Sequence, residues 1–260
     1  LALHDRRANS LLLARDPFGI KPLYYVEGAF GLAFASEPKA LLAGGFALAS
    51  DISRRAQYEL LSMQFTTGRD TIYRDIKRVL PGETIQVRAG RVVERRQISA
   101  LPPPSSAPQL QSEDEALERL DAALMDSVMV HQRSDVPYGM FLSGGIDSSA
   151  LLAAMARLNE TPVRAFTIGF SEGGAHDERA HARAVARAVG AEHVEIEFDE
   201  KDFFTLLPRV AAALDDPVAD YATLPTYKLG QTASEELKVV LCGEGGDELF
   251  AGYGRYRSAT

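Results

Sequence analysis

Two short stretches of the chain combine glycines, hydroxyls and carboxylates in a way that could handle a phosphate. In "MFLSGGIDSSALLAA", Met140 to Ala154, an apolar run reaches Leu142, breaks at Ser143-Gly144-Gly145 and resumes with helical spacing from Asp147. A strand-to-helix turn with two glycines lets backbone N–H groups approach an anion closely. Ser143, Ser148 and Ser149 add hydroxyl donors. The stretch lacks Gly-x-x-x-x-Gly-Lys and is not a Gly-x-Ser-x-Gly elbow, so neither of those chemistries is implied. An aspartate in the first helical turn is ill placed beside an anion unless a cation lies between them.

The second stretch, "LCGEGGDELFAGY", repeats the grammar. A strand ends at Leu241, glycines at 243, 245 and 246 open the backbone, and Glu244, Asp247 and Glu248 follow. Set side by side, Asp147 and Asp247 would hold Mg²⁺, which takes oxygen ligands from one or two carboxylates plus substrate phosphates. The alternative is that each aspartate simply caps a helix.

Around these stretches the 260 residues are 46% apolar and 25% charged, ordinary globular composition for one large domain or two small ones. No run approaches the roughly 18 apolar residues of a membrane span. A single cysteine, Cys242, excludes an internal disulfide and fits a reducing cytoplasm. Residues 1–110 hold 15 Lys/Arg against 10 Asp/Glu, net +5; residues 111–260 hold 13 against 26, net −13. An acidic second half argues against nucleic-acid binding and suits a polyanion handled through metal cations; solvated acidic helix faces would give the same count.

The elements that must position the two turns follow a break in composition. "LPPPSSAPQLQS", residues 101–112, reads as an extended linker between a domain at 1–100 and another at 113–260. Before it, short apolar runs at Leu11–Ala14, Leu23–Val26 and Phe30–Ala35, one helix from Ser53 to Phe65 capped by Ser53, and a hairpin around Ala89-Gly90 predict an α+β layered domain. After it, the pattern begins with a helix following Ser112. Strands at Tyr138–Leu142, Val163–Ile168, His193–Phe198 and Lys238–Leu241 then alternate with helices at Asp147–Leu158, Asp177–Val189, Phe203–Leu214 and Leu224–Ser234. That rhythm predicts a parallel sheet with helices on both faces and ligands at the carboxyl ends of its strands. The chain opens on a strand already under way and stops without a closing element, as a fragment would.

"LSGGIDSS" resembles the loop of the ATP pyrophosphatase family, and "GEGGDELFAGYGRY" resembles the second signature of glutamine-dependent asparagine synthetases. "ARDPFGIKPLYY" and "FASEPKALL" are similar to the distal part of the class II glutaminase domain that precedes it. The resemblance runs in order along nearly the whole chain. It implies an adenine nucleotide alpha hydrolase-like synthetase domain behind part of an Ntn-type glutaminase domain. It also implies a cytoplasmic ligase using ATP and Mg²⁺, with a homodimer left open as its assembly. In such enzymes glutamine supplies ammonia, and ATP converts aspartate to an aspartyl-adenylate. Ammonia then yields asparagine, AMP and pyrophosphate.

Carried across, Ser143, Gly144, Gly145, Asp147 and Ser148 cradle the pyrophosphate, and Asp147 and Asp247 hold the metal. Leu142, Ile168, Cys242 and Gly243 line the nucleotide, and Glu244 accepts a proton as ammonia attacks. β-Lactam synthetases carry a tyrosine at the place of Glu244, which favours an external amine over ring closure.

The pattern departs from the family in two places. Class II glutaminases use an N-terminal cysteine that this chain lacks, so no catalytic residue is assigned before the linker. Arg15, Asp16 and Lys21 are expected to brace a turn made by Pro17, Gly19 and Pro22, and Cys242 to be a small buried residue. "LDDPVADYATLPTYKL", Leu214 to Leu229, resembles the substrate-side segment but has Tyr221-Ala222 after Asp220 where the family has x-Ser. Two readings therefore stand beside asparagine synthesis. One is the same chemistry on another carboxylate, as in polysaccharide-cluster amidotransferases or β-lactam synthetases; the other is a non-catalytic nucleotide-binding scaffold. His176 and His181 lack metal-ligand spacing and read as solvated.

Overall fold

The structure is a computed structural model that describes residues 1–103, 112–171 and 177–257. The proline-rich stretch expected to link two domains falls largely at 104–111, and His176 within 172–176, both outside the described residues. The chain divides into two compact units, Leu1–Pro108 with Ala211–Asp220, and Gln109–Val210 with Tyr221–Thr260.

In the first unit, β1 (Ala2–Asp5), β2 (Ser10–Ala14), β6 (Glu83–Arg88) and β7 (Arg91–Gln97) form an antiparallel sheet in the order β1-β2-β6-β7. Between β2 and β6 the chain forms a second sheet, ordered β4-β3-β5, from β3 (Tyr24–Gly28), β4 (Gly31–Ala35) and β5 (Lys77–Arg78). Alternation along β3 builds the layers, because successive side chains point to opposite faces. Tyr25 faces Leu13, Val79, Ile85 and Val87, whereas Tyr24 and Val26 face Leu41, Ala47 and Ile76. Leu41 lies on α1 (Pro38–Ala43), a helix the sequence reading does not anticipate. α2 (Arg54–Met63) starts where expected, with Ser53 Oγ accepting from the Ala56 N–H at 3.3 Å. The β6–β7 hairpin turns at Ala89 (φ 49°) and Gly90 (φ 73°), the two consecutive positive φ values of a tight hairpin turn.

The expected brace around the Asp16–Pro22 turn is present. Arg15 donates to the carbonyls of Lys21 (3.0 Å) and Gly19 (2.6 Å), while Asp16 accepts from the N–H groups of Ile20 (2.8 Å) and Lys21 (2.9 Å).

The second unit opens with α3 (Glu113–His131), whose Ser112 cap accepts from the Glu115 N–H at 3.1 Å. Its sheet is parallel throughout, ordered β10-β9-β8-β11, from β8 (Tyr138–Phe141), β9 (Arg164–Phe170), β10 (Glu192–Phe198) and β11 (Val239–Leu241). α4 (Ile146–Leu158) and α5 (Arg179–Val189) make the crossovers from β8 to β9 and from β9 to β10. α6 (Glu200–Ala213) and α7 (Thr223–Ala233) lie between β10 and β11.

Both faces of this sheet are covered. On one, Met140 and Ala165 pack with Val128 of α3, Leu152 and Met155 of α4, and Ala182 and Ala186 of α5. On the other, Phe166 and Ile196 pack with Leu229 and Ala233 of α7. Phe166 is fully buried, and burying a side chain of that size stabilises by about 2–3 kcal/mol. Strand order runs outward from β8 through β9 to β10, then returns to put β11 on the other side of β8. The order therefore reverses between β8 and β11, the place where such sheets open a crevice at their carboxyl ends. Both glycine turns leave the sheet there.

Candidate functional site

The first turn is built by its own side chains. Ser148 Oγ sits at its centre, accepting from the Ser143 N–H (3.3 Å), 2.9 Å from Ser143 Oγ and donating to the Gly145 carbonyl (3.2 Å). Gly145 N–H donates to Ser143 Oγ at 3.2 Å. Gly144 has φ +85°, which a residue with a Cβ adopts only under strain. A Cβ there would also stand 3.1 Å from the Ala182 nitrogen at the start of α5. Gly145, the cap residue of α4, makes no side-chain cap bond, so the helix opens with backbone donors that the Gly145 side chain cannot satisfy. Ser149 Oγ is buried with no hydrogen-bond partner among the described residues.

The second turn follows β11 and leads into α8 (Gly246–Phe250), followed by α9 (Gly254–Arg257). It lies against the first. A Cβ added to Gly243 would stand 3.0 Å from Ser148 N and 3.3 Å from Asp147 Cβ, and one added to Gly246 would collide with the Asp147 carboxylate. Two glycines far along the chain from the first turn thus leave room for one aspartate, which the sequence alone does not reveal.

The expected residues divide accordingly. Ser143, Gly144, Gly145, Asp147 and Ser148 share one turn, and Gly243 packs on it. Asp147 is half-buried against Gly246; the Asp247 carboxylate lies against Gly252. No group of three or more His, Cys, Asp or Glu side chains able to hold an ion forms among the described residues. Asp147 and Asp247 each offer a carboxylate, the donor type that Mg²⁺ takes together with waters and substrate phosphates. Glu244 is exposed on the second turn, and Ile168 is half-buried on β9. Leu142 is a core residue, 2% exposed; its N–H donates to the Phe166 carbonyl (2.8 Å) and its carbonyl accepts from Thr167 Oγ (2.6 Å). Anything it offers a nucleotide comes from the backbone.

Cys242 is exposed, not buried. The apolar run before it suggests burial, but β11 has only three residues and occupies the end of the sheet order, so the residue following it has cover from β8 alone. His181 is exposed as expected, with its ring beside Gly144.

Two aspartates of the segment resembling the substrate side are engaged within the first unit. Asp216 accepts from Arg78 through both Nε and Nη2 (2.7 Å each) and from the Tyr24 hydroxyl (2.9 Å). Asp215 pairs with Lys39 at 2.8 Å. Burial, then the neighbouring Asp216 charge, pushes the Tyr24 phenol up to about 12. Sequence spacing gives no sign of these partners, which lie up to 192 residues away.

The second unit is thus an all-parallel α/β unit whose two glycine turns abut at a strand-order reversal, the place where ligands of such sheets sit. A family model described as "Asparagine synthase" matches residues 119–260, and one described as "Glutamine amidotransferase domain" matches residues 1–97. The chain belongs to the asparagine synthase family.

Among curated proteins, a putative asparagine synthetase (glutamine-hydrolyzing) of Mycobacterium tuberculosis is 39% identical over 261 residues, covering 98% of this chain and 39% of that protein. Asparagine synthetase (glutamine-hydrolyzing) 1 of Bacillus subtilis is 37% identical, covering 94% and 38%. An amidase of Gibberella zeae is 30% identical, covering 98% and 40%. The chain thus spans about two-fifths of the length of these relatives. A glutamine-dependent NAD+ synthetase of Acinetobacter baumannii in complex with ADP gives a TM-score of 0.38 at 18% identity, over 77% of this chain and 42% of that one, too slight a likeness to carry an argument.

Proposed function

We propose that this chain forms part of an ATP-dependent amide ligase. In this reading it converts aspartate to asparagine through an aspartyl-adenylate, with ammonia released from glutamine, and yields AMP and pyrophosphate. The observation that carries the reading is the packing of Gly243 and Gly246 on Ser148 and Asp147, which joins two phosphate-compatible turns at the sheet's reversal point. Family membership and the asparagine synthetases among the relatives support the choice of reaction.

In this mechanism the first turn binds the β and γ phosphates. Backbone N–H groups at the start of α4 and the Ser143 hydroxyl face the oxygens where charge accumulates as pyrophosphate departs, while Ser148 holds the turn in shape. Fixed dipoles stabilise that charge with little reorganisation. Asp147 and Asp247 would hold Mg²⁺, which when bound supplies positive charge to the phosphate oxygens. Attack of the acceptor carboxylate on the α phosphorus breaks the α–β bond; ammonia then displaces AMP from the acyl carbon. Glu244, exposed beside the second turn, takes the proton lost by ammonia. Residues 1–100 carry part of the glutaminase domain and 113–260 part of the synthetase domain.

The test supplies ATP, Mg²⁺ and ammonium to a protein that carries this chain at the length of its relatives. Aspartate and a panel of other carboxylic acids are offered, and AMP plus pyrophosphate are scored against ADP plus phosphate. Aspartate-dependent AMP is expected. AMP with a different acid would keep the adenylation chemistry and change the acceptor. That second reading draws on Tyr221-Ala222 after Asp220 and on the relative named as an amidase. Absence of AMP with every acid would favour a non-catalytic nucleotide-binding scaffold.

A further inference from the structure

The peptide group joining Leu142 to Ser143 is held at both ends. Its N–H donates to Ser148 Oγ (3.3 Å) and its carbonyl accepts from Thr167 Oγ (2.6 Å). Thr167 is 2% exposed on β9, and its Oγ also lies 2.8 Å from Nε2 of His193 on β10. The His193 side chain is 9% exposed. Beyond it, Nδ1 faces Glu195 Oε1 at 3.5 Å, and Glu195 is gripped by Arg183 of α5 at 2.6 and 2.7 Å.

Counting protons fixes the direction of this chain of contacts. A carbonyl oxygen only accepts, so the single hydroxyl proton of Thr167 goes to Leu142. Thr167 Oγ must then accept from His193, which places a proton on Nε2. A neutral His193 is therefore the Nε2–H tautomer, with the Nδ1 lone pair toward Glu195.

We infer that Thr167 and His193 are positioning residues for the phosphate turn: by turning the Leu142 carbonyl into the sheet they fix the 142–143 peptide plane and keep its negative end away from the incoming phosphates. This inference rests on the proposed nucleotide site. Burial foremost, with Arg183 assisting and Glu195 opposing, lowers the His193 pKa, in keeping with a neutral ring at neutral pH. The relay does not require that state, since a protonated ring still donates from Nε2. His193 and Thr167 lie outside every motif that points to the turn. Neither side chain needs to touch the ligand.

Two measurements test the assignment. Nitrogen-15 NMR of the unchanged protein at neutral pH should show His193 protonated at Nε2; a neutral ring with its proton on Nδ1 alone would overturn the relay. Mg·ATP and AMP affinities are then compared in Thr167→Val, which keeps the shape without the hydroxyl, and in Thr167→Ser, which restores it. Thr167→Val should weaken Mg·ATP by about tenfold, the order of one buried hydrogen bond, while AMP affinity changes little. Thr167→Ser should bind Mg·ATP nearly as the unchanged protein does. Equal loss of both nucleotides, or no rescue by serine, would mean that Thr167 serves only the packing and would overturn the positioning role. If the unchanged protein bound neither nucleotide, the functional reading would fail and the positioning role with it, whereas the tautomer would still be measured.

Discussion

Gly243 rests on Ser148: a Cβ at the glycine would stand 3.0 Å from the serine's backbone nitrogen, closer than side chains ordinarily pack. The contact joins the turn after β11 to the turn after β8, and the site depends on that join. Gly246 is the more informative position to change, because the atoms nearest its absent Cβ are those of the Asp147 carboxylate rather than backbone. Gly246→Ala should leave stability within about 0.5 kcal/mol, as a helical substitution that disturbs no backbone. It should nevertheless reduce the Mg²⁺ dependence of ATP binding, read by calorimetry with and without the metal. Unaltered metal dependence would show that the Asp147 carboxylate has no role in holding the ion.

Asp147→Asn keeps the size of the side chain and removes its charge. AMP formation should fall below detection in a protein of full family length, with folding intact by circular dichroism. Glu244→Gln should separate the two steps, sparing adenylation and slowing amide formation. Equal loss of both steps in Glu244→Gln would mean that Glu244 acts before ammonia arrives.

Glu83 is the most buried carboxylate in the first unit, 2% exposed, with Arg69 donating to both of its oxygens at 2.7 Å and the Leu80 N–H at 2.8 Å. Burial alone would raise its pKa; the bonds from Arg69 and Leu80 outweigh it and hold the value below 4.5. A lowered folded-state pKa contributes stability above the unfolded value, and that contribution is lost as pH falls through the folded value. Glu83→Gln should cost about 3 kcal/mol at pH 7, because it leaves Arg69 without its charge partner. Urea melts should show that gap narrowing below pH 4.5. A gap that stayed constant with pH would contradict the assignment.

Cys242 offers a simple check on the sheet's end. An exposed thiol should react with one equivalent of a thiol reagent in the folded protein, without denaturant, and Mg·ATP should slow the reaction if the nucleotide covers the second turn. A thiol unreactive until denaturation would place β11 under cover that the structure lacks.

The parts of this molecule that are legible in the sequence are those set by local rules. Ser53 and Ser112 announce their helices through capping, and the four parallel strands appear as short apolar runs between helical spacings. Both glycine turns stand out by composition. What escapes is of two kinds. α1 is six residues long and begins at Pro38, too short for periodicity to register beside the strands around it. The other omissions depend on distant partners. Asp216 meets Arg78 across 138 residues, and Thr167 meets His193 across 26, a pairing that requires knowing β9 and β10 to be neighbours. The exposure of Cys242 escapes for the same reason, since it follows from where β11 falls in the strand order.

The first unit takes ten of its residues, Ala211–Asp220, from far along the chain, and Asp216 among them supplies the carboxylate for Arg78 and Tyr24. On a ribosome, which delivers about 5–20 residues each second, the first 108 residues emerge well before that carboxylate does. Through the synthesis of most of the second unit Arg78 must wait without its carboxylate, with the carbonyls of Thr66, Gly68 and Asp70 to receive its guanidinium. A gene cut anywhere in the proline-rich stretch would make that wait permanent, so this half of the protein is not a portable module in the sense that its sequence boundary suggests.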